Sequence, residues 1–175
     1  MKNCYNGIMA ERSRYESNPY QMPFEFGGSA RELGQHVREL RDPRFVRTPM
    51  DAVDYFLTQI FVPFEEFRQE QLYVLLLDQK NRITHDVMVY KGTVNAINIR
   101  PAELFMEAVR HNNPSILMGH CHPSGNPTPS PEDIAVTTLL YDAGKLLDIQ
   151  LLDHLVIGDN AYTSMRQSGF GFPKP

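Results

Sequence analysis

The run Gln71-Leu72-Tyr73-Val74-Leu75-Leu76-Leu77 is too continuously apolar for a strand with one wet face, and it predicts a central β-strand covered on both sides. After the turn residues Gln79-Lys80-Asn81-Arg82, the stretch from Ile83 to Tyr90 alternates more loosely, which predicts the antiparallel partner of that strand. His85 lies in this partner without a ligand at metal spacing and is expected at the surface. Two further buried strands are predicted: Ser115 to Gly119, bounded by Pro114 and running into His120, and Gln150 to Ile157. A turn at Gly158-Asp159-Asn160 then leads into a short last strand from Tyr162 to Met165.

Helical periods separate these strands. Thr48-Pro49-Met50-Asp51 supplies a cap and a first-turn proline, followed by an apolar stripe of Val53, Phe56, Leu57, Ile60 and Phe61. Pro101 opens a second helix with Leu104, Phe105, Ala108 and Val109 facing inward, ending near Asn112-Asn113-Pro114. Ser130 caps a third that runs to about Leu147, with Val136, Leu139, Leu140, Ala143 and Leu147 on one side. Strands interleaved with helices on both faces give an α/β fold in which helices sandwich a mixed β-sheet.

Residues 1 to about 28 are polar and punctuated by Asn18-Pro19, Pro23 and Gly27-Gly28, which predicts an extended arm. Ser29-Ala30-Arg31-Glu32 has the form of a capping box, and Leu33, Val37 and Leu40 follow at helical spacing. An arm and a short helix over 1–48 are therefore expected before a domain spanning 49–175. Arg31, Arg38, Arg41, Arg44 and Arg47 alternate with Glu32, Glu39 and Asp42, a mixture that suits a solvated helix face better than a phosphate-binding patch.

Composition narrows the classes. The net charge is −4 and the excess acid lies beyond residue 50, so the main domain lacks the basic balance of a nucleic-acid platform. Cys4 and Cys121 stand far apart with no CxxC spacing, which excludes a cysteine zinc cluster and a disulfide framework and fits a reducing cytoplasm. No apolar run is long enough for a membrane span, and the start carries no signal sequence.

The chemistry concentrates in Gly119-His120-Cys121-His122-Pro123-Ser124-Gly125-Asn126-Pro127-Thr128-Pro129-Ser130-Pro131-Glu132-Asp133. On a strand, His120 and His122 share a face about 7 Å apart at the backbone, while Cys121 points to the other face. The prolines and Gly125 force a turn, and Asp133 stands three residues after the cap Ser130, where a capping box places its acid. A strand end folding back on a helix start would bring two imidazoles and one carboxylate together. Catalytic zinc sites commonly hold three such ligands and leave the fourth position to water. The competing reading makes Asp133 a helix cap and nothing more.

The spacing His120-x-His122, seven residues, Ser130, two residues, Asp133 resembles the JAMM motif of JAB/MPN-domain metalloproteases. The fuller string around it is similar to the RadC family, long labelled DNA repair proteins, with Cys121 where that family usually has Asn. The resemblance runs from about Pro49 to Phe172. It includes Leu75-Leu76-Leu77-Asp78-Gln79-Lys80-Asn81-Arg82, Gly92-Thr93, Arg100-Pro101-Ala102-Glu103 and Leu152-Asp153-His154-Leu155-Val156-Ile157-Gly158. It implies a cytidine-deaminase-like architecture, Zn2+ held by His120, His122 and Asp133, and Ser130 as donor to an oxyanion. A general base is also needed, with Glu65, Glu66, Glu70 and Glu103 as candidates. The family places this glutamate before a core strand that follows the first helix, which selects Glu70; Glu103 is the runner-up, and its place in the first turn of a helix already explains it. His154, in the Asp153-His154 pair of the RadC-like pattern, reads either as a support for the metal ligands or as a buried, hydrogen-bonded core histidine, and the latter is favoured. Residues 1–48 show no helix-hairpin-helix glycines, so the chain looks like a short form of RadC.

Three functions follow as expectations. The first is a JAMM-type zinc metallopeptidase acting on a protein or peptide substrate. The others are a non-catalytic adaptor in DNA repair or mobile-element biology and a metal-dependent nuclease.

Overall fold

A computed structural model describes residues 36–92 and 99–173. Among these, six strands form one mixed sheet in the order β1-β3-β2-β4-β5-β6. The strands are β1 (His36–Phe45), β2 (Glu70–Leu77), β3 (Arg82–Gly92), β4 (Ser115–Cys121), β5 (Gln150–Ile157) and β6 (Tyr162–Ser164). The helices are α1 (Pro49–Tyr55), which continues as a π-helical turn over Phe56–Ile60, α2 (Pro101–Arg110) and α3 (Pro131–Leu147). All neighbouring strands are antiparallel except β4 and β5, which run parallel because α3 carries the chain across between them.

The continuous apolar run of β2 has the expected cause. Leu72, Val74 and Leu76 pack on one face with Leu104, Phe105 and Ala108 of α2 and Leu140 of α3. Leu75 and Leu77 pack on the other with Ala52, Val53, Tyr55 and Phe56 of the α1 segment. Both faces are covered, so no position of β2 is free to be polar without a partner. The first helix starts as its sequence predicts: Thr48 and Asp51 form a reciprocal capping box with Pro49 at the first position.

The N-terminal reading needs correction. The predicted arm and the capping box at 29–32 lie outside the described residues, but from His36 onward the chain is a strand, not the helix that Val37 and Leu40 suggest. Pro43 would break a helix there; as an edge strand, β1 tolerates it, and its register with β3 shifts between Glu39 and Arg44. Nor does Arg38 belong to a purely solvated face. Its guanidinium pairs with the buried Asp86 at 2.6 Å, and Tyr55 donates to the same carboxylate oxygen at 2.5 Å. This pins the edge strand to β3 and α1. Burial, and secondarily the bond to Asp86, pushes the Tyr55 hydroxyl above its ordinary range.

Three smaller expectations also change. His85 is buried, its ring tilted against that of His111 at 4.0 Å between centroids. Val109 of α2 and Leu139 and Leu147 of α3 are exposed, because the inward stripes of both helices are narrower than the sequence suggests. The last strand ends at Ser164, one residue short of the expected Met165.

Packing beneath β4 leaves no slack at Gly119. A β-carbon built there would stand 2.4 Å from the Phe56 ring, which is fully buried and stacked on Phe61. Gly119→Ala is therefore expected to destabilise the fold by about 1 to 3 kcal/mol through overpacking. Urea unfolding checks this, and an unchanged midpoint would show that Phe56 yields freely.

Candidate metal centre

Strand β4 delivers the two histidines. Cys121, between them, is buried among the residues facing α1, while His120 opens toward α3. His122 continues the ladder past the end of β4, its N–H donating to the Ile157 carbonyl at 2.8 Å. The loop then turns at Gly125, whose φ of +79° favours glycine. Gly158 packs so closely on the Gly125 carbonyl that a β-carbon would meet it at 2.2 Å. That contact holds the loop against the end of β5.

Asp133 arrives from the other side. Ser130 caps α3, accepting from the Asp133 N–H at 3.1 Å, while its own N–H and hydroxyl each donate to Asp133 Oδ2 at 2.7 Å. The capping reading is therefore correct for one carboxylate oxygen. The other, Oδ1, stands 3.3 Å from His120 Nε2, and Oδ2 is also 3.7 Å from His122 Nε2. His120 Nε2 and His122 Nε2 are 2.9 Å apart. Among the described residues this is the one group of three whose potential ligand atoms all lie within 4.8 Å of one another.

The donor set fits a single small divalent cation. Ligand atoms about 2.0 to 2.1 Å from one tetrahedral ion stand about 3.3 Å apart, and the observed separations bracket that value. His122 is also oriented for it. Its Nδ1 faces the Asn126 carbonyl oxygen at 2.8 Å, which can only accept, so Nδ1 carries a hydrogen and the neutral ring presents its lone pair at Nε2 to the cluster.

Burial sets the electrostatics. It holds the His120 imidazole down to about 4, against an opposing pull from Asp133. Burial also works against charge on His122, but its bonds to Asp133 and to the Asn126 carbonyl prevail and raise it. For Asp133, burial would raise the carboxyl; the contacts with His122, His120 and Ser130 outweigh it and hold the group well below the usual carboxylate range.

The other candidates separate cleanly. Glu70 is the first residue of β2, 7% exposed, with Oε1 3.8 Å from His122 Nε2. Burial pushes its carboxyl up, and the nearby Asp133 adds to that. Glu103 lies in the first turn of α2, 3.6 Å from Arg100, while Glu65 and Glu66 form a short 3-10 turn ahead of β2. His154 is buried as expected, but the sequence did not reveal its partner. Its Nε2 is 2.7 Å from His120 Nδ1.

Residues 46–170 match the family described as the RadC-like JAB domain. The chain belongs to that family. Among relatives of this RadC-like domain, a UPF0758 protein of Chloroflexus aurantiacus is 44% identical over 146 residues, covering 82% of this chain and 62% of its own length. A UPF0758 protein of Roseiflexus castenholzii is 50% identical over 130 residues, 74% of this chain and 54% of its own. One from Clostridium botulinum is 42% identical over 124 residues, 71% and 53% respectively. The RadC-like chain thus spans between about half and three fifths of the length of these relatives. No helix among its described residues is long and apolar enough to cross a membrane.

The depressed histidine gives a pH prediction for the metal-free protein. The folded state leaves His120 neutral down to about 4, while the unfolded chain protonates it near the ordinary 6.5. Stability is therefore lost as pH falls through that window. His154, also held low by burial, acts in the same direction. His122, being raised, contributes fully below 6.5 and adds no slope there, while the Glu70 and Asp153 carboxyls, raised by burial, gain stability as pH falls and blunt the loss. Between pH 6.5 and 5, His120 alone should remove about 2 kcal/mol. Urea midpoints of chelator-treated protein test this, and a midpoint that holds or rises toward pH 5 contradicts it.

Proposed function

We propose that this protein is a zinc-dependent hydrolase of amide bonds, a peptidase or isopeptidase, with His120, His122 and Asp133 holding the metal. The observation that carries the reading is the convergence of these three side chains within 4.8 Å beside a buried carboxylate, Glu70. When bound, zinc supplies a water whose pKa is lowered to about 7 and polarises the scissile carbonyl.

The chain's own residues would do the rest. Glu70 takes the proton of the attacking water and returns it to the leaving amine; burial raises its carboxyl toward the range that serves both steps. Ser130 lends its hydroxyl to the developing oxyanion by turning its hydrogen away from Asp133 Oδ2, a donation typically contributing about 3 to 4 kcal/mol. Asp133 keeps the Ser130 N–H throughout and so stays oriented. Asn126 fixes the His122 ring through its carbonyl.

The nuclease reading is less well supported, because paired-ion sites need a second ligand set and the described residues offer one. The net charge of −4 does not favour a nucleic-acid partner either.

Metal analysis of the wild type should find about one zinc per chain, lost in His122→Ala. Glu70→Gln should keep its zinc and its fold while hydrolysis of a peptide library falls at least about 100-fold. A wild type that takes up no zinc overturns the proposal. Zinc-loaded wild type that cleaves nothing favours the adaptor reading instead.

A further inference from the structure

His120 must present a lone pair, not an N–H, at Nε2 if it is to bind a cation, and an imidazole alone has no reason to choose that tautomer. In this fold the choice is made three groups away. Thr137, one turn into α3 from Asp133, is fully buried, and its hydroxyl lies 2.6 Å from the Asp133 carbonyl oxygen. A carbonyl oxygen only accepts, and two oxygens at that distance repel unless a hydrogen lies between them. Thr137 has one hydroxyl hydrogen, and this contact takes it.

The consequence passes along the row. The same Thr137 oxygen is 2.6 Å from His154 Nδ1, and with its hydrogen committed it can only accept. His154 therefore carries its hydrogen on Nδ1 and offers a lone pair at Nε2. That lone pair faces His120 Nδ1 at 2.7 Å, so His120 carries its hydrogen on Nδ1. His120 Nε2 is left with its lone pair, aimed at the point where Asp133 and His122 converge.

We infer that Thr137 and His154 are positioning residues that lock His120 into its metal-binding tautomer, with the hydrogen-bond direction set by the Asp133 main-chain carbonyl. This rests on the proposed metal site, but the direction of the relay does not. The row also closes on itself, because the residue whose carbonyl starts it supplies the third ligand through its side chain. Without the Thr137 hydroxyl, His154 is free to flip its hydrogen to Nε2, which drives a hydrogen onto the metal-facing nitrogen of His120.

The test uses the whole 175-residue chain and two readouts. In metal-free wild type labelled with 15N at histidine, His120 should show the Nδ1–H tautomer. Thr137→Val, nearly isosteric, should shift His120 toward Nε2–H and weaken zinc affinity, measured by competition with a chelating dye, by about 10- to 100-fold. Thr137→Ser, which keeps the hydroxyl, should restore both. A wild-type His120 protonated on Nε2 overturns the inference. So does a Thr137→Val protein, folded by circular dichroism, with wild-type tautomer and affinity. Should Thr137→Val fail to fold, the wild-type spectrum alone decides. Wild type that shows the Nδ1–H tautomer but takes up no zinc upholds the relay and defeats the metal reading, so the two fail separately.

Discussion

The two oxygens of the Asp133 carboxylate face different partners, and the geometry of the centre follows from that division. Oδ2 is tied to the Ser130 N–H and hydroxyl at the start of α3, so the side chain cannot swing away. Oδ1 is thereby held 3.3 Å from His120 Nε2. A capping box ordinarily satisfies helix-end donors and ends there. Here the helix start lies over the end of β4, because the proline-rich turn after His122 leaves only a short path between them. The same local chemistry that starts a helix also aims a carboxylate.

That coincidence explains what could be read from the sequence. The histidine pair, Ser130 and Asp133 are governed by strand alternation and cap spacing, both visible in a window of fifteen residues. Likewise α3 and β5 occupy the residues their patterns predict, since each has a long apolar period and clear stop signals. Misreadings arise where distant contacts decide. β1 has only a few apolar residues at helical spacing, and its strand state is enforced by the ladder to β3 and the Arg38–Asp86 pair, 48 residues apart. Nothing near His85 in sequence announces His111 as the ring it packs against.

His154 shows the limit most clearly. Its burial follows from its place in an apolar strand, yet its significance lies in partners 34 and 17 residues away, His120 and Thr137. The parallel pairing of β4 with β5 sets Met118 opposite His154 and His120 opposite Val156, a register that no local signal encodes. A core histidine and a histidine that serves the centre are here the same residue.

The charge balance gives these contacts a direction. The centre gathers two carboxylates, Glu70 and Asp133, around imidazoles of which two are disfavoured from charging by burial. Burial and the nearby Asp133 charge both push the Glu70 carboxyl upward. A divalent charge at the convergence point of the histidines and Asp133 would reverse the local field, since a bound ion is the largest charge in its surroundings. Two neutral imidazoles and one carboxylate leave such an ion with a net single positive charge, and the Glu70 carboxylate matches it.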